Sequence, residues 1–147
     1  MYSISSNAGD VFNMNICTYV TAVSMQPKKM VVAIYKNTKT LELVNKNRQF
    51  VLQLLAAGQY RLVDILGKKS GHTIDKISRL EKRNLLTEWN GYKILKEALA
   101  VMELVVTGTM PGGDHKIFLC DMVRYKNLQD GNPLGLNELR KHKLIHI

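Results

Sequence analysis

The sequence predicts a mainly β fold, because apolar runs with strand character outnumber the segments with helical spacing. Met30–Tyr35, Ala100–Thr109 and Lys116–Tyr125 are rich in β-branched and other apolar residues, which favour strands. The last two runs are joined by Met-Pro-Gly-Gly-Asp-His, a combination that turns the chain back as a hairpin. The strands are too many for a doubly wound α/β fold, so we expect a sheet or barrel with few helices.

The remaining elements are predicted in order along the chain. Val11–Val23 interleaves small polar and apolar residues and is predicted as a strand, as is Phe50–Leu55. The Asn-Gly pair in Trp89-Asn90-Gly91-Tyr92 favours a tight hairpin turn with positive φ. Short helices are expected in Asn37–Lys46, between Gln59 and Gly67, in the charged stretch through Arg83, and in Asn137–His142.

Length and composition predict a single domain over residues 1–147, since a chain of this size can bury its own core. No apolar run has the length needed to cross a bilayer, so no membrane association is expected. The N-terminus lacks the basic segment and apolar stretch of a secretory signal, which makes the cytoplasm the expected location. The formal net charge is +9, which attracts anions such as phosphorylated cofactors, nucleic acids and acidic proteins.

Several common chemistries are not indicated. Cys17 and Cys120 lie far apart in strand-like runs without metal-ligand spacing, which predicts two buried reduced thiols and no metal site. Gly108–Gly113 leads into a strand rather than a helix, so it is not a phosphate-binding glycine loop. A basic nucleic-acid-binding module is a weak alternative, because no face of interleaved basic and aromatic residues is visible.

Small polar residues open the first long strand. Asn13, Asn15 and Cys17 are spaced two apart, so their side chains share one side of that strand, and Thr18 follows them. One interpretation is the solvation of an edge strand. The other is a set of polar contacts that orients the edge of a heterocyclic cofactor in a mainly apolar site.

A second polar group precedes the first predicted helix. Asn37, Thr38 and Thr40 serve either as a helix N-cap alone or as part of a phosphate site, since a helix N-terminus has free N–H groups. Further along the chain, Ser70 and Lys76 add donors and a positive charge that suit a dianion.

His115 follows Asp114 at the end of the predicted hairpin turn. Such a histidine is most often a solvated loop residue. Alternatively, it donates a hydrogen bond to an anionic ring or phosphate, or lies where hydride arrives. The other histidines, His72, His142 and His146, fall in loops or the tail, so no Ser-His-Asp or Cys-His triad can be assembled and hydrolysis is not indicated.

Six segments, taken in order, carry a resemblance to a known family. They are FNMNICTYVTAVSMQP (12–27), NTKTLELV (37–44), FVLQLL (50–55), SGHTIDK (70–76), GYKILKEALAVME (91–103) and GDHKIFLCDMV (113–123). Together they resemble the flavin reductase-like, FMN-binding split-barrel family, which includes flavoredoxins and the flavin reductase modules of diiron flavoproteins. The resemblance extends over nearly the whole chain, from about Asn13 to Pro133.

The resemblance implies a mainly β, Greek-key split β-barrel with a few short helices. It also implies a homodimer with FMN bound noncovalently near the subunit interface. The implied function is an NAD(P)H-dependent flavin oxidoreductase, in which hydride passes from NADH or NADPH to FMN and electrons pass onward, possible acceptors including a redox protein. An FMN-binding electron-transfer or flavin-storage protein without a productive nicotinamide site is the alternative.

The resemblance assigns residues to the cofactor by matching position. Those along the isoalloxazine ring and ribityl chain are Asn13, Asn15, Cys17 and Thr18. Those near the phosphate are Asn37, Thr38 and Thr40, and the further flavin contacts are Lys76 and His115. With Ser70, they make up the expected cofactor-binding set.

The chain also departs from the family pattern. Only the short Tyr2–Ser6 stretch precedes the first polar motif, so a trimmed N-terminal barrel edge and reduced flavin affinity are expected. The double-proline turn of the family is replaced by Gln26-Pro27, and the segment between Lys76 and Trp89 is rich in Lys and Arg. The sequence therefore assigns neither the electron donor nor the acceptor.

Overall fold

The computed structural model describes residues 1–145, and within them the chain is mainly β with three short α-helices. The strands are β1 (Tyr2–Ala8), β2 (Val11–Cys17), β3 (Val20–Met25), β4 (Lys28–Tyr35), β5 (Gln49–Leu54), β6 (Leu86–Trp89), β7 (Tyr92–Leu95), β8 (Ala100–Gly112) and β9 (His115–Asn127). The α-helices are α1 (Lys39–Lys46), α2 (Lys76–Lys82) and α3 (Leu136–Lys141).

Seven strands form one antiparallel sheet in the order β2-β1-β5-β8-β9-β4-β3, and β6 pairs with β7 in a separate hairpin. The edge strands β2 and β3 are joined by only Thr18 and Tyr19, so the two edges of the sheet meet at that corner. The sheet must therefore curl into a barrel, and it is split where these edges run unpaired. This arrangement confirms the predicted mainly β split barrel.

The described residues form three hydrophobic clusters, and the two largest lie on opposite sides of the sheet. The barrel interior is filled by side chains such as Val32, Phe50 and Phe118, and Val44 of α1 packs against them from one end. The second cluster, which includes Met14, covers the other face of β2 with residues of α2 and α3. Because each fully buried side chain of this size contributes about 1.5–3 kcal/mol, both faces of β2 are firmly held.

The prediction of one strand over Val11–Val23 was wrong at its centre. The chain breaks at Thr18 and Tyr19, where it crosses from one edge of the sheet to the other. β2 pairs with β1, whereas β3 pairs with β4. Alternation of polar and apolar residues indicates which side chains share a face of a strand, but it does not indicate which strand pairs with it. The break between β2 and β3 therefore could not be predicted from the alternation.

The expectation of a trimmed N-terminal edge was also wrong. Tyr2–Ala8 forms a complete strand that pairs with β2 on one side and β5 on the other. Three of its serines, Ser3, Ser5 and Ser6, are buried. Serine has little strand preference by itself, so the tertiary pairing determines this strand.

The other local predictions have mixed outcomes. The hairpin at Asn90 and Gly91 is confirmed, with φ of 49° and 80°. The single helix predicted between Gln59 and Gly67 is instead a 3₁₀ segment, Ala57–Leu62, followed by a π-helical turn, Asp64–Lys68. The remaining helices match their predicted places within a few residues. Within residues 1–145, no helix is long and apolar enough to cross a bilayer.

Candidate functional site

A polar cavity of about 200 Å³ lies where β2 passes the start of α1. One wall is a five-residue segment, 67–71, that consists of the last two residues of the π-helical turn and the first three residues of the loop before α2; we call this segment the strap. The other lining residues of this strap cavity are Asn13, Asn15, Tyr35, Asn37, Thr38, Lys39 and Lys76. No Asp or Glu side chain lines the strap cavity among the residues described.

Asn13 and Asn15 belong to β2 and point to the barrel side of the sheet. They lie opposite Ser6 and Ile4 of β1, and Ile4 belongs to the barrel interior. Asn13 is buried, and its Nδ2 donates a hydrogen bond of 3.1 Å to Oγ1 of Thr40. The amide Oδ1 of Asn13 therefore faces the strap with its orientation fixed by this bond.

Lys76 is the buried charge of the site, with only 2% of its surface exposed. Its Nζ donates to Oδ1 of Asn15 at 2.8 Å and to the carbonyl oxygen of Leu66 at 3.2 Å. No carboxylate of the described chain lies within ion-pair distance of it, and burial lowers the pKa of Lys76 to about 8. An ammonium group in this setting has one hydrogen still available and a strong preference for an anionic partner.

The strap closes on β2 through Gly71. A Cβ added at Gly71 would lie 2.5 Å from Oδ1 of Asn13 and 3.0 Å from Cβ of Lys39. Only glycine fits this close approach without displacing a neighbour. Ser70 begins a tight turn: its Oγ accepts a hydrogen bond from the N–H of His72, at 3.2 Å, so the end of the strap is held in place.

The start of α1 presents backbone donors to the same cavity. Oγ1 of Thr38 accepts a hydrogen bond from the N–H of Leu41, which confirms Thr38 as the N-cap. Asn37 is exposed beside it and lines the strap cavity. The first N–H groups of a helix favour an anion, so this end of α1 complements the charge of Lys76.

A smaller cavity of about 70 Å³ adjoins the first and shares Asn15 and Tyr35 with it. We call it the aromatic cavity, because the rings of Tyr19, Tyr35 and His115 line it. Both tyrosine rings meet the His115 ring edge-on, with centroids 5.0 Å and 5.4 Å away. The other lining residues are Ile4, Ile16, Cys17, Thr18, Ala33, Ile34 and Thr40.

His115 is oriented by its neighbour. Nδ1 of His115 lies 2.6 Å from Oδ1 of Asp114, and this contact lowers the pKa of the Asp114 carboxyl. The imidazole is held on one side by the carboxylate and on its edges by two tyrosine rings. Its Nε2 is then the ring nitrogen left for a ligand in the aromatic cavity.

Cys17 is a neutral thiol in this site. It is buried, and burial raises its pKa to about 12. Its Sγ lies 3.7 Å from the carbonyl oxygen of Ala33. A thiol must be deprotonated to act as a nucleophile, so Cys17 is suited to packing against a ligand rather than attacking one.

All ten residues predicted to bind the cofactor line one or the other of these two adjoining cavities. The strap cavity has Asn13, Asn15, Asn37, Thr38, Ser70 and Lys76, and the aromatic cavity has Asn15, Cys17, Thr18, Thr40 and His115. Thr40 supports Asn13 by accepting its hydrogen bond. Whether these residues contact a flavin stays a prediction.

Sequence reasoning missed several lining residues. They include Tyr19, Tyr35, Gly67, Lys68 and Lys69. The run Gly-Lys-Lys-Ser-Gly, 67–71, carries a signal in its paired lysines between two glycines, whereas the tyrosines lie at strand ends and have none. Within residues 1–145, no group of three or more His, Cys, Asp or Glu residues is arranged to hold a metal ion.

Comparisons with known proteins give a consistent result. Residues 1–144 match the family model described as "Flavin reductase like domain". The chain is 27% identical to a high molecular weight rubredoxin of Moorella thermoacetica, over 91% of this chain and 58% of that protein. It is 26% identical to the FMN reductase (NADH) RutF of Acinetobacter baylyi, over 78% of this chain and 59% of that protein. The chain thus spans less than two thirds of the length of either relative.

Among solved structures, the barrel is similar to an FMN-binding protein from Thermus thermophilus, determined with bound 1-cyclohex-2-enone. The TM-score is 0.77 with 26% sequence identity, and the match covers 86% of this chain and 69% of that one. The family model covers almost every residue that forms the barrel and its two cavities. The chain therefore belongs to the flavin reductase-like domain family.

Proposed function

We propose that residues 1–147 form one FMN-binding domain that acts as an NAD(P)H-dependent flavin oxidoreductase. The observation that carries the proposal is Lys76, a buried ammonium without a carboxylate partner at the wall of a cavity lined by amides and lysines. Burying a cation is costly unless an anion pairs with it. A flavin phosphate or the electron-rich edge of the ring would supply that partner.

The residues present fit FMN in their chemistry. The strap cavity offers the ammonium of Lys76 and the N–H groups at the start of α1, which suit a phosphate dianion. Asn13 and Asn15 offer amide groups held in fixed orientation for a polar ring edge or the ribityl hydroxyls. The aromatic cavity offers ring faces and a neutral thiol, which suit a planar heterocycle.

When bound, FMN would accept hydride from NADH or NADPH and pass electrons onward. The chain's own residues would do the rest of the work. Lys76 would hold a negative charge in place, and Asn15 would keep its ammonium directed at the cavity. His115 would present Nε2 to the aromatic cavity, with Asp114 fixing the ring orientation. The wall of tyrosine rings would exclude water from the reacting atoms.

We further propose that the working form is a homodimer. Large exposed apolar side chains concentrate on the half of the sheet formed by β3, β4, β8 and β9 and on the β2–β3 connection. They are Tyr19, Val23, Met25, Tyr35, Met110, Val123 and Tyr125. An apolar face of this kind favours association. Tyr19 and Tyr35 belong both to this face and to the aromatic cavity, so a second copy related by a two-fold axis would help close the site.

A redox protein as electron acceptor and a cytoplasmic location are part of the same proposal. The net charge of +9 favours an acidic acceptor. The chain is similar to a protein named high molecular weight rubredoxin and to one named FMN reductase (NADH). These similarities support NADH as the electron donor and a role in electron transfer.

The first test is the visible spectrum of the purified chain after incubation with FMN and removal of the excess. NADH and then NADPH are added without oxygen. We expect a retained flavin band that bleaches with at least one of the two donors. A band that persists with both would favour the alternative, an FMN-binding electron carrier or store, and a colourless protein would contradict FMN binding.

Variants of Lys76 connect this test to the site. Lys76→Met removes the charge and keeps the length of the side chain, and we expect FMN affinity to fall about a hundredfold, or about 2.7 kcal/mol. Lys82→Gln, at an exposed lysine of α2 outside both cavities, is the matched control. Equal FMN affinity in a folded Lys76→Met variant and in the control would contradict the assignment of Lys76.

A further inference from the structure

Lys68 and Lys69 are two exposed, consecutive lysines of the strap, and both line the strap cavity. Neither has a carboxylate within 4.0 Å among residues 1–145. The remaining cavity lysines already have partners: Lys39 pairs with Glu42 at 2.9 Å, and Lys76 is fixed by Asn15 and Leu66. The strap therefore brings two uncompensated positive charges to the mouth of the cavity.

This concentration of charge is local and is not a general property of the surface. A larger cavity of about 510 Å³ lies on the other side of Gly71, and three carboxylates line it: Asp10, Asp75 and Glu81. The strap cavity has none among its described lining residues. Three lysines, Lys39, Lys76 and Lys93, also line the larger cavity, so positive and negative side chains are balanced there. The strap cavity has lysines without carboxylates among its described lining residues and is therefore better suited to a polyanion.

The lysines are also presented on a segment with a defined shape. The carbonyl oxygen of Ser70 accepts hydrogen bonds from the N–H groups of Thr73 and Ile74, at 3.2 Å and 3.0 Å. Gly71 packs closely on Asn13, and at Gly67 an added Cβ would lie 3.6 Å from Cδ1 of Ile16, so the backbone at both positions runs close to β2. Both ends of the strap are anchored, so little ordering is needed when Lys68 and Lys69 meet an anion.

The charges exceed what one flavin phosphate requires. In the proposed function, Lys76 and the N–H groups at the start of α1 already face a single dianion. Lys68 and Lys69 add two more positive charges at a position nearer to solvent. A ligand with a further phosphate would use them.

We propose that Lys68 and Lys69 form a second anion site for the additional phosphate of an adenine dinucleotide. The inference rests on the proposed function. The shared chemistry is a phosphate on an adenosine moiety, which has two possible sources: the 2′-phosphate of NADPH, or the pyrophosphate of FAD bound in place of FMN. A hydrogen bond to a charged group contributes about 1.5–3 kcal/mol, so loss of the site should weaken the phosphate-bearing ligand at least about tenfold.

The test compares the wild-type protein with the Lys68→Gln/Lys69→Gln double variant. The control is Lys82→Gln/Lys96→Gln, which also removes two exposed lysines but outside both cavities. Calorimetry measures adenosine 2′,5′-bisphosphate against adenosine 5′-monophosphate, and FAD against FMN. Steady-state assays of the FMN-loaded protein measure kcat/KM for NADPH and for NADH. We expect the double variant, and not the control, to lower one of these ratios about tenfold.

Each outcome has a distinct meaning. A fall in the bisphosphate to monophosphate ratio and in the NADPH to NADH ratio identifies the 2′-phosphate, and a fall in the FAD to FMN ratio identifies the pyrophosphate. Unchanged ratios in the folded double variant would overturn the second site. A fall in FMN affinity alone would also overturn it, because the lysines would then serve the flavin's own phosphate. If the chain binds no FMN, the proposed function fails, while the calorimetric comparison of the adenosine phosphates still tests the lysines.

Discussion

Replacing Gly71 with alanine tests how closely the strap packs against β2. The added Cβ would lie 2.5 Å from Oδ1 of Asn13, 3.0 Å from its Cγ and 3.0 Å from Cβ of Lys39, whereas ordinary van der Waals contact begins at 3.4 Å. Either Asn13 rotates away or the strap moves outward by about 1 Å, a shift of the size that overpacking commonly forces. Both responses disturb the strap cavity.

The two responses have similar costs. Rotating Asn13 breaks its buried 3.1 Å hydrogen bond to Thr40 and leaves polar groups unpaired, at about 1–3 kcal/mol. Moving the strap costs about 1–3 kcal/mol as an overpacking response. We therefore expect Gly71→Ala to lower the free energy of unfolding by about 1–3 kcal/mol and FMN affinity by about tenfold.

Urea unfolding of the flavin-free protein and fluorescence titration with FMN measure the two effects. Gly58→Ala is the matched control, because a Cβ there meets nothing within 4 Å. If Gly71→Ala and Gly58→Ala have the same unfolding free energy and the same FMN affinity, the close approach of the strap to Asn13 is wrong.

Three further predictions concern single groups. The pKa of Lys76 is lowered from 10.5 to about 8, so between those pH values the unfolded chain binds a proton that the folded chain has lost. The free energy of unfolding of the wild type, measured in urea, should therefore rise relative to that of Lys76→Met by on the order of 3 kcal/mol from pH 8 to 10.5. A difference that does not change with pH would contradict this. Cys17 and Cys120 are buried, and burial raises the pKa of each thiol to about 12. A thiol-specific chromogenic reagent should therefore react with both only after denaturation, and rapid reaction with the native protein would refute their burial. Thr38→Ala removes the hydroxyl that caps the N–H of Leu41 and should lower the free energy of unfolding in urea by about 1 kcal/mol. Thr38→Ser keeps a hydroxyl and should retain most of that stability, so equal losses in the two variants would exclude a capping role.

Much of the barrel was predictable because the signals are local. The β-branched runs of β4, β8 and β9 and the Asn-Gly turn between β6 and β7 report their own conformation. β1 was not predictable in this way, since its buried serines have weak strand preference and become a strand through pairing with β2 and β5. The break after Cys17 is similar, because it depends on where the sheet closes.

The candidate site shows the same division. Thr38 as a helix cap followed from its place before Lys39–Lys46, and the alternation of Asn13 and Asn15 followed from strand geometry. That Lys76 would be buried against Asn15, 61 residues away in sequence, had no local signal. Neither did the enclosure of His115 by two tyrosines from other strand ends.

The amino-acid sequence by itself determined the periodicity of the strands, the turn and cap residues, the positive charge, and a family resemblance carried by the order of short motifs. Tertiary structure alone decided which edges of the sheet meet and which lysine is buried away from water. It also decided which lysines of the strap have no carboxylate partner among the described residues. The physical reason is that conformational preference is a property of neighbouring residues, whereas desolvation and charge pairing depend on groups that only the closed barrel brings together.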